Sequence, residues 1–117
     1  MWFKVKKPAM AVPSEELVRL RALQHLAEVF GVPEESLSLD ARFGQELRAN
    51  PVSDFKENQF DIVHNNIKDV ADKRLLKEMA QGRLVIRSVG EYCEHMVRCS
   101  NINPEEVVRV LRLPATE

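Results

Sequence analysis

The sequence predicts an all-α protein: a bundle of four principal helices with a long first loop and an extra C-terminal helix. Apolar residues recur at three- and four-residue steps in separate segments, the period of amphipathic helices. Capping signatures stand in front of those segments. Leu, Val, Glu, Arg, Lys and Ala are abundant, while Tyr and Trp occur once each. That balance favours helices over sheets.

Residues 1–13 read as an irregular lead, since Pro8 and Pro13 oppose a continuous helix. Ser14 is the N-cap of the first helix, and Glu15 and Glu16 fall in its first turn, where the helix dipole favours negative charge. Leu17, Leu20, Leu23, Leu26, Ala27 and Phe30 form its apolar stripe, and Gly31 ends it as the C′ residue. From Val32 to Asn50 runs a long connection with Pro33 and three apolar anchors, Leu37, Phe43 and Leu47. A loop of that length must hold itself on the core.

Asp54 and Glu57 form a capping box ahead of a second helix, whose apolar face is Phe60, Val63, Ile67 and Val70. Leu75, Leu76 and Met79 predict a shorter helix that stops at Gly82. Ser88 and Glu91 make a second capping box, followed by Val89, Tyr92, Cys93, Met96 and Val97. Asn103, Pro104 and Glu106 supply an N-cap, a first-position proline and a capping-box acid for the last helix. Its apolar residues are Val107, Val108, Val110 and Leu111, and Pro114 closes it. They suit either association with a partner or packing back across the bundle, and packing back is the expected arrangement. The organisation is thus a lead over 1–13, a bundle over 14–98, and an additional helix and tail over 99–117.

A chain of 117 residues fits one domain. Its 44% hydrophobic content supports a core without metal or disulfide staples. The formal charge is −1, which argues against a duplex nucleic acid partner. Lys4, Lys6 and Lys7, beside Trp2 and Phe3, read as a short solvated tail. No apolar run approaches the ~20 residues of a membrane span, and the N-terminus makes a poor signal peptide. A soluble, cytoplasmic monomer is expected.

Cys93 and Cys99 would lie ~9 Å apart along a helix, beyond the ~7 Å limit for a bridge, so both read as reduced thiols. His25, His64 and His95 fall on separate helices. His95 and Cys99 are the one closely spaced pair, where a structural zinc site shows two. Solvated or half-buried histidines and no metal are expected. There is no Gly-x-Ser-x-Gly and no phosphate-cradling glycine loop, with four glycines in all. The acid pairs Glu15-Glu16, Glu34-Glu35 and Glu105-Glu106 fall at helix starts or turns, where dipole effects explain them. No catalytic residues are expected.

The order of helix, anchored loop and later helices resembles the acyl carrier protein family over residues 14–98. Gly31-Val32, Leu37, Phe43 and Leu47 keep the spacing of that family's first loop. Asn58-Gln59-Phe60-Asp61-Ile62-Val63 looks like its Asp-Ser-Leu-Asp-x-Val at the head of helix two. Ile86-Arg87-Ser88-Val89 looks like the Ile-Thr-Thr-Val that leads into its last helix. The resemblance implies a bundle whose loop aliphatic and phenylalanine plug the core, and a serine that carries phosphopantetheine.

Here that position is Gln59, whose amide cannot form the phosphodiester. The chain also inserts Arg48, Ala49, Asn50, Pro51 and Val52 ahead of the helix. The family's helix two is acidic and recruits basic enzymes. In this chain Asp54, Glu57, Asp61 and Asp69 are interleaved with Lys56, His64 and Lys68. The expectation is a non-catalytic interaction module without a cofactor. Its surface would be Asp54, Glu57, Gln59 and Asp61, and its partners proteins, acyl-transfer enzymes among them. One alternative is a specialised carrier with 4'-phosphopantetheine on Ser53, although there the acid follows the serine, as Ser53-Asp54-Phe55. Another is an accessory subunit that holds an acyl chain non-covalently, which requires an apolar pocket between helices.

Overall fold

The computed structural model describes residues 12–47 and 59–113. Ser14 caps the first helix as predicted, its hydroxyl accepting from the Leu17 N–H at 3.1 Å. This helix, α1, runs Glu15–Phe30 and ends on Gly31 in the left-handed conformation, φ 68°. A single turn of 3-10 helix, Glu34–Ser36, follows. Helix α2 spans Gln59–Asp69, α3 Lys73–Ala80, α4 Val89–Ser100 and α5 Pro104–Leu111. No strand occurs among the described residues. An isolated antiparallel bridge joins Arg42 to Ser88, and a parallel one joins Phe43 to Leu47. No described helix is long and apolar enough to cross a membrane.

α1 packs most heavily on α4. The face that does so is Val18, Ala22 and Leu26, all fully buried. This corrects the predicted leucine stripe: Leu20 is 46% exposed, and Leu17 and Leu23 only flank the core. Residues four apart form one ridge of a helix, and Val18, Ala22 and Leu26 are the ridge of α1 that is buried.

The long first loop is docked by backbone hydrogen bonds onto the start of α4. Val89 N donates to Ala41 O at 2.9 Å, Gly90 N to Leu39 O at 2.8 Å, and Phe43 N to Arg87 O at 2.9 Å. Val89 and Gly90 are the first two residues of α4, whose N–H groups have no partner within the helix. The loop carbonyls satisfy them. The Ser88–Glu91 capping box forms as predicted and occupies Ser88 N and Glu91 N. Ala41 and Leu47 are buried, while Leu37 and Phe43 are partly so.

α5 packs back on α4, α1 and α2, with Val107 and Leu111 fully buried. Two details of its caps differ from prediction. Asn103 occupies the N-cap position but makes no side-chain cap bond; its amide donates instead to Val70 O, just past α2, at 3.1 Å. Glu106 pairs with Arg109 rather than closing a capping box. The helix ends at Arg112 in the left-handed conformation, φ 56°, before Pro114 is reached. Pro114 and the Asp54–Glu57 capping box lie outside the described residues.

α3 is anchored by Asp72, whose carboxylate accepts from Leu75 N at 2.9 Å. Leu75 is fully buried, Met79 is partly buried, and the helix gives way to a turn at Gly82.

Candidate functional site

Helix α2 opens on Gln59, half-buried, followed by the half-buried Phe60 and the exposed Asp61. Gln59 and Asp61 are the predicted surface residues that fall among the described ones. Ser53, Asp54 and Glu57 lie outside them.

Beside this helix head lies a groove of about 360 Å³. Its walls are Phe43 from the first loop, Phe60, Val63 and Ile67 from α2, and Ile86 from the segment before α4. Asp61 and His64 form a polar rim. An aromatic cluster supports it: Phe30 lies 6.2 Å from Phe43 and 5.9 Å from Phe60, centroid to centroid, and Phe43 meets Tyr92 edge-on at 6.5 Å. Such offset and edge contacts suit the ring quadrupoles. Phe43 therefore bridges α1, α4 and the groove rather than filling the core outright. Larger hollows along the first loop, 440 Å³, and at the end of α1, 550 Å³, lack this aromatic lining.

The helix that carries the groove is held from three sides. Asn66 Oδ1 accepts from Tyr92 Oη at 3.1 Å and from His25 Nε2 at 2.8 Å, joining α1, α2 and α4. His95 Nε2 donates to Ile67 O at 2.9 Å. Asn103 takes Val70 O. Carbonyls at a helix end have no partner of their own, and side chains of α4 and α5 supply them here.

His95 corrects an expectation. It was expected solvated or half-buried, and it is buried, 3% exposed. Burial pushes its pKa below the ordinary range, the Ile67 hydrogen bond opposes that in part, and Arg98 adds to it. Cys99 Sγ lies 3.6 Å from His95 Nε2. Both cysteines are buried and unpaired with each other, and burial pushes each thiol up to about 11. A thiol so placed is a poor nucleophile and a poor metal ligand near neutral pH. Among the described residues no group of three or more His, Cys, Asp or Glu gathers in metal-binding geometry.

What the site can do chemically follows from its lining. The groove takes an apolar chain or side chain, with a charge or hydrogen-bonding group at Asp61 or His64. Sequence reasoning named Gln59 and Asp61 but missed Phe43, His64 and Ile86 as groove residues, because they come from three separate segments. No family model matches the chain, no curated protein matches it, and no solved structure matches it.

Proposed function

We propose that this chain is a non-catalytic interaction module of acyl-carrier type, without the prosthetic-group serine, which docks protein partners through the head of α2. The observation that carries this reading is the position of Gln59. It opens α2 directly before Phe60 and Asp61, which line the groove; on the resemblance, this is the position at which a carrier presents its serine hydroxyl. The order of elements supports it: a long α1, an anchored loop, α2, a short α3, and α4 led by Ile86-Arg87-Ser88-Val89. Partners of this kind include acyl-transfer enzymes.

The purified protein, incubated with coenzyme A and a broad-specificity phosphopantetheinyl transferase, gains no phosphopantetheine by intact-mass spectrometry. A single increment that disappears in Ser53→Ala would establish a modified carrier instead. In the Gln59→Ser variant, modification would show that the scaffold keeps the shape of the site and has lost only its nucleophile.

The groove itself favours a second reading, an accessory subunit that holds an acyl chain non-covalently. Its volume of about 360 Å³ and apolar walls suit a short chain. A fluorescent fatty-acid analogue displaced by unlabelled acid, with binding lost in Ile86→Glu, would support that reading over the first.

A further inference from the structure

Four of the five described helices begin with acids, as the helix dipole favours: Glu15 and Glu16 in α1, Asp61 in α2, Glu91 in α4, and Glu105 and Glu106 in α5. Helix α3 has no acid in its first turn and begins Lys73-Arg74. Its acid is the N-cap Asp72, whose carboxylate accepts from Leu75 N; the two cations that follow it oppose the dipole, and no other described α-helix has a cation in its first turn.

The direction of these cations sharpens the point. α3 turns Leu75 and Met79 inward. At about 100° per residue, Lys73, Arg74 and Lys77 fan over the opposite side, with Leu76 at one edge and the half-buried Glu78 at the other. All three cations are exposed, Leu76 is 37% exposed, and exposed Arg83 follows the turn at Gly82. Among the described residues none of these four cations is in an ion pair, whereas Arg19 and Arg109 both are. From Lys68 to Arg87 six cations stand against three acids, in a chain whose formal charge is −1. The positive face is local.

We propose that the outward face of α3, with Lys73, Arg74, Lys77 and Leu76, is a docking surface for an acidic segment of a partner protein that carries an apolar side chain. Charge complementarity selects the acid. Leu76 selects an apolar neighbour. A nucleic acid fits less well: α3 is only ~12 Å long, its outward face carries no aromatic on which a base could stack, and the rest of the chain is net acidic. This surface is distinct from the head of α2 and does not depend on the reading given to that site.

The test uses the whole chain and a fluorescein-labelled peptide of alternating glutamate and leucine, with fluorescence anisotropy as the readout. The peptide binds, binding weakens as salt rises, and an alternating glutamine-leucine peptide binds at least ~tenfold more weakly. The combined variant Lys73→Gln, Arg74→Gln, Lys77→Gln weakens the acidic peptide by about tenfold, the scale of a few exposed ion pairs acting together. Lys73→Arg with Arg74→Lys retains binding, and so does Arg42→Gln on the first loop. Far-UV circular dichroism confirms that each variant is folded. Binding that is indifferent to the combined variant would overturn the proposal. So would tighter binding of a single-stranded oligonucleotide or of phosphatidylserine vesicles than of the peptide, if the combined variant abolished it.

Discussion

Tyr92, fully buried in α4, donates its phenolic hydrogen to Oδ1 of Asn66 in α2 at 3.1 Å. The same oxygen accepts from His25 of α1 at 2.8 Å, so one amide ties three helices together. Burial pushes the Tyr92 phenol well above its ordinary pKa, which keeps it a donor at any working pH. The two deletions are unequal. Tyr92→Phe removes a donor while His25 still satisfies Asn66, and costs about 1 kcal/mol. Asn66→Ala strands the buried hydroxyl of Tyr92, and costs about 2–3 kcal/mol. Urea unfolding monitored by circular dichroism should reproduce that order. The reverse order would mean that the hydroxyl finds another partner.

His95 makes stability depend on pH. Its folded pKa lies below the ordinary value of 6.5, with burial as the main cause. The unfolded chain therefore takes up the proton first, and the neutral ring's contribution is complete above that value. It is lost as pH falls below 6.5 toward the lower folded value. Arg98 opposes protonation of the ring, and the Cys99 thiol, 3.6 Å away, has its own pKa pushed up by burial and so carries no charge near neutral pH. His95→Gln keeps an N–H for Ile67 O and removes the titration. Between about pH 7 and pH 5 the urea midpoint should fall further in the wild type than in His95→Gln. Equal falls would sink the idea.

Phe43 contributes through ring contacts rather than through full burial. It is partly exposed, meets Phe30 and Tyr92, and anchors the loop that reaches α4. Phe43→Ala should cost about 2 kcal/mol, below the ~3–5 kcal/mol of a fully buried phenylalanine. A change below about 0.5 kcal/mol, the level of an ordinary surface substitution, would show that the ring carries no packing.

Local signals in the sequence predicted most of the helices. Ser14, the Ser88–Glu91 box and Pro104 each stand where a helix begins, because caps act over three or four residues and leave a readable spacing. Gly31 marked an end for the same reason. What stayed hidden involved partners far apart in the chain. Asn66 carries no local mark, yet it meets His25 and Tyr92, 41 and 26 residues away. His95 reads as solvated or half-buried from the sequence because its acceptor, Ile67 O, lies 28 residues away. In α1 the predicted stripe took in Leu20 and left out Val18 and Ala22, because leucine outweighs alanine in hydrophobicity; Leu26 and Ala27 are buried as predicted. Asn103 and Glu106 had the right types for a cap and found other partners. In the candidate site, Gln59 and Asp61 were legible through the resemblance alone, while the groove walls needed the fold to bring α2, the loop and Ile86 together.

Gly90 gives the sharpest test of how the first loop is held. It is the second residue of α4, where alanine would ordinarily be preferred over glycine by about 1 kcal/mol. A Cβ built there would stand 3.0 Å from Leu39 O and 3.4 Å from Leu39 Cβ, closer than real contacts usually come. That carbonyl accepts from Gly90 N at 2.8 Å, so it cannot retreat without lengthening its own hydrogen bond. Two backbone neighbours along the loop, Ala41 O and Phe43 N, are fixed to the start of α4 in the same way. The crowding should therefore outweigh the propensity gain, and Gly90→Ala should lower stability by about 1 kcal/mol net. Amide hydrogen exchange localises the effect: Val89 and Phe43 should lose protection in Gly90→Ala, because the loop carries the acceptor of one, Ala41 O, and the donor of the other, Phe43 N. A variant more stable than the wild type, with those amides still protected, would mean that the loop gives way freely and that its docking does not constrain α4.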